Sequence, residues 1–168
     1  QDAGYRLDFT GEAGSRWLHL LPAERPPRAV SIVAAGQTLQ LRSPQDAIAA
    51  GIALVPEDRK QQGIVLDMAI RQNIGLASAH RHSKAGFLSF STEQAQSQEM
   101  CSRLRVRMPN DQARVGNLSG GNQQKVVLGK WLALRPNVLL LDEPTRGIDV
   151  GAKQEIYQLM DELAQQGL

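Results

Sequence analysis

Short apolar runs, separated by longer segments of mixed polarity, dominate the pattern along the chain. Residues 52–55 and 138–141 are runs of four apolar side chains, Ile-Ala-Leu-Val and Val-Leu-Leu-Leu, which are typical of strands buried on both faces of a sheet. Residues 30–33 and 38–41 predict two further short strands around a turn at Gly36. The pattern therefore predicts several brief strands spread along the chain.

Helix signals occupy the segments between these runs. Ser43 followed by Pro44 predicts the start of a short helix, because serine is a good N-cap and proline fits the first helical position. Gly51 marks the point just beyond the end of that helix. Ser119 predicts the start of a longer helix that runs to about Leu134 and stops before a proline.

A long stretch from residue 68 to residue 108 is also helical in pattern, with polar faces rich in glutamine and arginine. Its clearest helix covers residues 91–104, with Ser91 or Thr92 as the N-cap. Residues 152–165 predict a final amphipathic helix.

Strands that alternate with helices predict an α/β fold with a parallel sheet, here interrupted by a largely helical insertion. We place the insertion at about residues 64–116 and the two core parts at about residues 29–57 and 117–168. Residues 1–28 are poorly patterned, since three prolines interrupt regular structure there.

Composition excludes several classes of function. The net charge of +2 is too small to predict a nucleic-acid or membrane-surface partner, and 4% aromatic residues leave few platforms for base stacking. The single cysteine, Cys101, cannot form an internal disulfide, and we expect a small buried or half-buried side chain there. No apolar run has the length of a membrane span, so we expect a cytoplasmic protein that reaches a membrane only by docking to another subunit.

Two adjacent carboxylates follow one of the predicted strands. Asp142 and Glu143 come directly after residues 138–141 and precede Pro144. The carboxyl end of a parallel strand is where open α/β sheets bind ligands. In a nucleotide hydrolase, the first carboxylate of such a pair holds Mg²⁺ and the second polarises the attacking water, whereas an isolated pair is more often a solvated turn.

A second motif lies at the predicted start of a helix. Ser119 is followed by Gly120, Gly121 and Asn122. Serine can cap the helix, and glycines let backbone N–H groups approach an anion closely. A helix N-terminus with a hydroxyl and exposed amides suits phosphate, although a lone Ser-Gly-Gly is usually an ordinary turn.

Together the two motifs are much more specific than either alone. A Ser-Gly-Gly-Asn helix about twenty residues before an apolar strand that ends in Asp-Glu-Pro resembles the signature and Walker B motifs of ABC ATPases. The longer strings at 55–60, 118–125 and 142–153 are similar to the C-terminal cassette of monosaccharide importers of the ribose, arabinose, xylose and galactose types. The resemblance covers about residues 31–168 and implies a P-loop NTPase-like ABC cassette, in part, with a helical subdomain inserted in its sheet core.

The resemblance also implies roles for the residues at the motif positions. Ser119 and the three residues after it, Gly120, Gly121 and Asn122, match positions that contact the γ-phosphate of an ATP held by the opposite cassette. Asp142 matches the aspartate on the Mg²⁺ side, and Glu143 the catalytic glutamate.

Two further segments are matched in the same way. Residues 146–149, here called the D-loop segment, match the D-loop that crosses between cassettes, and Asp149 is included among the candidate nucleotide-contacting residues. Glu57 stands where most cassettes have the Q-loop glutamine and is a further candidate contact. Residues 58–73 would then lie near the surface that receives the coupling helix of a membrane subunit.

An intact phosphate-binding loop is missing from the sequence. The string Gly, four residues, then Gly-Lys followed by Ser or Thr occurs nowhere. Gly129-Lys130 is followed by tryptophan and falls inside a predicted helix, and residues 14–16 are at most a remnant, with Trp17 where the Mg²⁺-binding hydroxyl belongs. The switch histidine of such ATPases is not matched either, and we expect the three histidines, His19, His80 and His82, to be surface residues.

The leading hypothesis is thus an ATP-hydrolysing subunit, or part of one, that energises sugar import from the cytoplasmic face of the bacterial inner membrane. Its expected partners are a second cassette, transmembrane permease subunits and, indirectly, a periplasmic sugar-binding protein, with ATP and Mg²⁺ as cofactors and no nucleic acid. One alternative is a truncated cassette that binds a partner and hydrolyses nothing. Another is a soluble ABC protein acting on ribosomes or DNA, to which the basic run at 103–107 gives slight support.

Overall fold

The computed structural model describes residues 6–9, 31–34, 37–84 and 87–168, and within them strands alternate with helices as the apolar pattern predicts. The strands are β1 (Arg6–Phe9), β2 (Ser31–Ala34), β3 (Gln37–Leu39), β4 (Ile52–Val55), β5 (Ser83–Lys84), β6 (Phe87–Leu88) and β7 (Val138–Leu141). The α-helices are α1 (Pro44–Ala49), α2 (Ile70–Gly75), α3 (Ala79–His82), α4 (Phe90–Arg103), α5 (Gly120–Leu132) and α6 (Val150–Gln165). A π-helical turn covers Arg59–Gly63, and 3-10 turns cover Leu76–Ser78 and Val115–Asn117.

The parallel sheet expected from the sequence is present in the pairing of β4 with β7. Ile52 pairs with Val138 and Val55 with Leu141, so both strands end at the same edge. β1 and β2 are also parallel, and β2 pairs with β3 in antiparallel fashion on either side of the predicted turn at Gly36, which itself lies outside the described residues. The small antiparallel hairpin of β5 and β6 was not predicted, since its strands are only two residues long.

Burial of β4 and β7 is less complete than their apolar sequences predict. Ala53 and Val55 are buried, but Leu54 is 50% exposed and every residue of β7 is partly exposed. Within the part of the chain that the structure describes, these two strands pair only with each other. The expectation of burial on both faces is therefore wrong here, because a two-stranded ribbon packs one face on the helices and leaves the other face open.

The start of α1 confirms the capping prediction. The Ser43 hydroxyl accepts a hydrogen bond from the Asp46 N–H at 3.2 Å, and Pro44 occupies the first helical position. Gly51 follows the helix with φ +79°, the left-handed conformation that favours glycine. Its carbonyl accepts hydrogen bonds from the backbone N–H groups of Asn137 and Val138, which joins the end of α1 to the start of β7.

Helix α5 begins after Ser119, as predicted, whereas the starts of α4 and α6 differ from prediction by one to three residues. α4 begins at Phe90 after the N-cap Ser89, so Ser91 and Thr92 lie inside the first turn. The Thr92 hydroxyl donates to the Ser89 hydroxyl at 2.9 Å, and no hydroxyl accepts from a first-turn N–H group. α6 begins at Val150 because the Asp149 carboxylate caps it, accepting from the backbone N–H of the third helical residue at 2.9 Å.

One hydrophobic core contains side chains from β4 and from helices α2, α4, α5 and α6. Helix α5 packs against α2 and α4 on one side and against β4 and α6 on the other. Val126, Val127 and Leu128 at its centre are completely buried. None of the helices in the described part of the chain is both long and apolar enough to cross a membrane.

Cys101 belongs to this core, as expected for a small buried side chain. It is 3% exposed, and burial raises the pKa of its thiol to about 11, although a hydrogen bond with Ser97 acts in the opposite direction. The thiolate is therefore disfavoured in the folded chain.

Gly51→Ala should destabilise the chain. The added Cβ would lie 2.7 Å from the Asn137 side-chain nitrogen, at a φ that L-residues rarely adopt, so we expect the free energy of unfolding to fall by about 1–2 kcal/mol. Urea denaturation followed by circular dichroism measures the change. Gly151→Ala is the matched control, because its Cβ would meet only the Asp149 carboxylate at 3.5 Å and alanine favours a helix. Equal stability of the Gly51→Ala and wild-type chains would contradict this account.

Cys101 should make stability fall at alkaline pH. Its pKa is raised from 9.0 to about 11 by folding, so the unfolded chain ionises first. The contribution of Cys101 to the free energy of unfolding is complete below pH 9. About 2–3 kcal/mol of it should be lost as the pH rises through 11. The measurement is the unfolding free energy of wild type minus that of Cys101→Ala across this range, which cancels the titration of other groups. A constant difference would refute the prediction.

Candidate functional site

The acidic pair lies at the end of β7, where the strand turns sharply. The Asp142 N–H donates to the Val55 carbonyl at 3.0 Å, which extends the pairing with β4 by one residue. Glu143 then adopts φ +40°, an uncommon conformation for a residue with a side chain, and its carbonyl accepts from the Arg146 N–H at 2.9 Å. The turn leaves the side chains of Asp142 and Glu143 exposed to solvent.

The signature residues form the start of α5, where Ser119 is exposed, Gly120 and Asn122 are partly exposed and Gly121 is buried. Ser119 is the N-cap, and Gly120 and Gly121 are the first two helical residues. The Ser119 hydroxyl caps no backbone N–H, contrary to its expected role, and instead accepts a hydrogen bond from the Asn122 side-chain amide at 3.0 Å. Its own hydrogen and the first N–H groups of the helix therefore have no acceptor within the helix.

Asn122 orients this hydroxyl and is itself held in place. Its side-chain oxygen accepts from the Arg107 N–H at 2.8 Å, while its amide nitrogen donates to Ser119. Both ends of the Asn122 amide are thus engaged inside the chain. The sequence places Asn122 among the phosphate contacts, and the structure adds a role in fixing its neighbour.

The two glycines of the motif allow close packing as well as anion approach. A Cβ on Gly121 would lie 2.5 Å from the Ala152 Cβ at the start of α6. A Cβ on Gly120 would lie 2.9 Å from an Arg59 nitrogen and 3.3 Å from the Ile148 side chain. The starts of α5 and α6 consequently meet at these glycines, and the D-loop segment lies against the signature residues.

Glu57 and Asp149 make contacts within the chain. The Glu57 carboxylate forms an ion pair with the Arg146 guanidinium, and both side chains are partly exposed. Asp149 caps α6 with its side chain. The structure thus places Glu57 and Asp149 at the two ends of the D-loop segment. Asp142 and Glu143 form no hydrogen bond or ion pair with Ser119 to Asn122 in the part of the chain that the structure describes.

Sequence reasoning missed Arg59, which is central to this arrangement. Its side chain donates to the Arg146 and Gly147 carbonyls at 2.8 and 3.1 Å and to the Gln123 side-chain oxygen at 3.4 Å. Arg59 does lie in the Val-Pro-Glu-Asp-Arg-Lys string that carries the family resemblance. The string includes Arg59, but the residues that Arg59 binds are distant in sequence and could not be inferred from the string.

Electrostatics anchor α5 to α6 beside the signature residues. Lys125 is 4% exposed and donates to the Glu155 carboxylate at 2.8 Å and to the Arg105 carbonyl at 3.1 Å. The hydrogen bond and the charge of Lys125, with a smaller effect of Arg107, hold the pKa of Glu155 below its ordinary value. A buried ammonium with two partners keeps the helix from rotating about its own axis.

Lys130 is not available for phosphate binding. Gly129-Lys130 lies inside α5, as predicted, and the Lys130 ammonium donates to the Gly63 carbonyl from a side chain that is 7% exposed. Burial lowers its pKa. The possible loop remnant at residues 14–17 and His19 lie outside the described residues, whereas His80 is exposed as expected.

The carboxylates fit a magnesium site of a particular kind. No group of three or more His, Cys, Asp or Glu side chains is placed to hold a metal in the described portion of the chain. Mg²⁺ in nucleotide sites commonly takes only one or two carboxylates and completes its coordination with water and phosphate oxygens. Asp142, exposed at the strand end and adjacent to Glu143, suits that arrangement.

Comparison with known sequences finds relatives that are named as ATP-binding proteins of sugar import. The sequence profile of the ABC transporter family matches residues 3–146. The chain is 51% identical over 133 residues to the ribose import ATP-binding protein RbsA of Oceanobacillus iheyensis, covering 79% of this chain and 27% of that protein. It is 54% identical over 133 residues to the xylose import ATP-binding protein XylG of Moorella thermoacetica, covering 79% and 26%. Against RbsA 1 of Rhizobium meliloti it is 46% identical over 168 residues, covering 98% and 33%. The chain thus spans a third or less of the length of these relatives.

Solved structures agree on the fold. A dimeric ATP-binding cassette in a post-hydrolysis state bound to ADP and Pi superposes with a TM-score of 0.64 at 20% identity, covering 83% of this chain and 60% of that one. Another ATP-binding cassette of an ABC transporter gives a TM-score of 0.65 at 18% identity, covering 80% and 55%. The chain belongs to the ABC transporter family and has the fold of part of an ATP-binding cassette.

Proposed function

We propose that this chain is part of the ATP-hydrolysing subunit of a bacterial sugar importer and completes an ATP site held by a partner cassette. The observation that carries the proposal is the exposed N-cap of α5, where Ser119 keeps its hydroxyl free of the helix backbone. The import functions in the names of its relatives support a monosaccharide as the transported substrate.

The chemistry of this turn suits the γ-phosphate. Ser119 accepts from Asn122, so its O–H points away from that bond and donates to a phosphate oxygen. The N–H groups of Gly120 and Gly121 add neutral donors at the positive end of the helix dipole. Such donors stabilise the charge on the transferred phosphoryl group, which is the main task in phosphoryl transfer.

Asp142 and Glu143 act in the second site, formed with this chain's own nucleotide. Asp142 would hold Mg²⁺, which would supply positive charge to offset that of the phosphates, and the Glu143 carboxylate would polarise the attacking water. Because the sequence has no intact phosphate-binding loop, this second site is the weaker one. Productive hydrolysis then depends on Ser119 to Asn122 more than on Glu143.

Glu57 and Asp149 are proposed to lie near the nucleotide at the interface between cassettes. Their positions at either end of the D-loop segment support this, since that segment is the part of the chain that would face the partner. Their intramolecular bonds imply that they shape the backbone there, in addition to any contact with ATP.

The proposed partners follow from the same function. They are a second cassette, the permease subunits and, through these, a periplasmic sugar-binding protein, at the cytoplasmic face of the inner membrane. The region at 58–73 exposes Val65 at 44% and Leu66 at 37%, and such apolar side chains suit docking of a permease segment. No nucleic-acid partner is proposed, given a net charge of +2.

Ser119→Arg should abolish hydrolysis in the assembled transporter. A bulky side chain at this exposed N-cap blocks the phosphate and removes the hydroxyl, so we expect ATPase activity to fall by about 100-fold or more. The thermal unfolding midpoint of the chain should change little. Ser102→Arg is the control, because Ser102 is an exposed serine near the end of α4. Full ATPase activity in a correctly assembled Ser119→Arg transporter would exclude the composite site.

Glu143→Gln should have a smaller effect than Ser119→Arg in the same assay. Glu143 serves the weaker site, so we expect residual ATPase activity at least about tenfold above that of the Ser119→Arg transporter. The substitution keeps the size of the exposed side chain and so leaves the fold intact. A Glu143→Gln transporter as inactive as Ser119→Arg would show that the two sites contribute equally or that Glu143 serves the stronger one.

A further inference from the structure

A single side chain joins the turn after β7 to helix α5. Arg59 reaches the Arg146 carbonyl with Nη1 at 2.8 Å and the Gly147 carbonyl with Nη2 at 3.1 Å. Its Nε donates to the Gln123 side-chain oxygen on α5 at 3.4 Å. The three guanidinium nitrogens therefore bind two separate elements that lie more than sixty residues away in sequence.

The backbone that carries Arg59 is fixed. Arg59 begins the π-helical turn, and the Asp58 side chain accepts from the N–H groups of Lys60 and Gln61 at 2.9 and 3.1 Å. The Arg59 carbonyl accepts from the Ile64 N–H at 2.8 Å. A side chain on a fixed backbone loses less conformational entropy when its guanidinium is bound, because its Cβ is already held in place.

Two glycines make room for the guanidinium. A Cβ on Gly120 would lie 2.9 Å from Nη2 of Arg59, and a Cβ on Gly147 would lie 3.5 Å from Nη1. Gly147 also has φ +66°, which brings its carbonyl to the guanidinium. The head of Arg59 thus fills the narrow space between the first turn of α5 and the D-loop segment.

A second polar contact to the D-loop segment is weaker and does not reach α5. The ion pair of Glu57 with Arg146 joins side chains that are 38% and 63% exposed, and water screens such pairs strongly. The bonds from Arg59 are made by a charged, planar donor to backbone carbonyls, whose positions define the course of the turn. Arg59 is therefore the main polar connection between the two elements in the described structure.

We propose that Arg59 is a positioning residue that holds the D-loop segment against the first turn of α5. By doing so it sets the spacing between the signature residues and the acidic pair at the end of β7. The positioning role of Arg59 rests on the contacts described above, which form the structural part of the proposal. The consequence for hydrolysis, the functional part, rests on the proposed function. The two parts are tested by separate measurements.

Hydrogen exchange of the full chain tests the structural part. Arg59→Ala should speed exchange of the amides in residues 146–148 by about tenfold, because three hydrogen bonds from a charged donor are lost. Arg59→Lys keeps the charge but lacks the planar fork of donors and the Nε donor to Gln123, so its effect should be intermediate. Arg81→Ala is the matched control. Arg81 also donates a hydrogen bond to a backbone carbonyl, that of Leu134, at 2.9 Å, and this bond lies away from the D-loop segment.

A double substitution sharpens the test. Gly120→Ala pushes a methyl group against the tip of Arg59 and should also speed exchange at residues 146–148. In the Arg59→Ala chain there is no guanidinium to displace, so adding Gly120→Ala should speed exchange less than it does in the wild-type chain, with only the contact with the Ile148 side chain at 3.3 Å left to disturb. Independent, additive effects of the two substitutions would contradict the proposed arrangement.

ATP hydrolysis by the assembled transporter tests the functional part. Arg59→Ala should lower kcat by about tenfold and leave KM for ATP within about twofold, with partial recovery in Arg59→Lys. Unchanged exchange at residues 146–148, or faster exchange over the whole chain, would overturn the positioning role. Faster local exchange with unchanged kcat would overturn its consequence for hydrolysis. A wild-type transporter without ATPase activity would refute the proposed function, while the exchange data would still decide the role of Arg59.

Discussion

The burial of helix α5 is the constraint on which the rest of the structure depends. From Gly121 to Lys130 almost every side chain is covered, by neighbours that include α2, α4, β4 and α6. Burial of residues such as Val126, Val127 and Leu128 contributes roughly 1.5–3 kcal/mol each. A helix held on all sides has a fixed axis, and its exposed N-cap, Ser119, is therefore presented in one direction. The signature residues gain their geometry from this packing and not from their own local sequence.

Polar groups then adjust the surface that the buried helix presents. Lys125, bound to Glu155, connects α5 to α6, and Asn122 is held by the Arg107 backbone while it orients the Ser119 hydroxyl. These bonds hold donors in place before any ligand arrives, which is the form of catalysis that phosphoryl transfer requires. They also explain why a side chain assigned to the ligand by its motif position can serve the structure at the same time.

The residues of the candidate site fall into two separate groups. The first turn of α5 and the D-loop segment form one continuous face, joined through Arg59 and the close contact at Gly120. The exposed carboxylates at the end of β7 have no polar contact with the signature residues in the described chain. In the proposed function these groups serve two different nucleotides, so activity would depend on how the turn between them is held.

By itself the sequence determined the elements and the family. The strands β4 and β7, the helix starts at Pro44 and Gly120, the parallel order and the ABC resemblance all follow from local pattern, because apolar runs, caps and motifs act over a few residues. Only the tertiary structure decided the exposure of Leu54, the start of α4 at Phe90 and the use of the Ser119 hydroxyl. It alone also revealed the bonds of Arg59 to carbonyls more than eighty residues away. Such contacts depend on where distant segments meet, and that is set by packing, which local sequence does not encode.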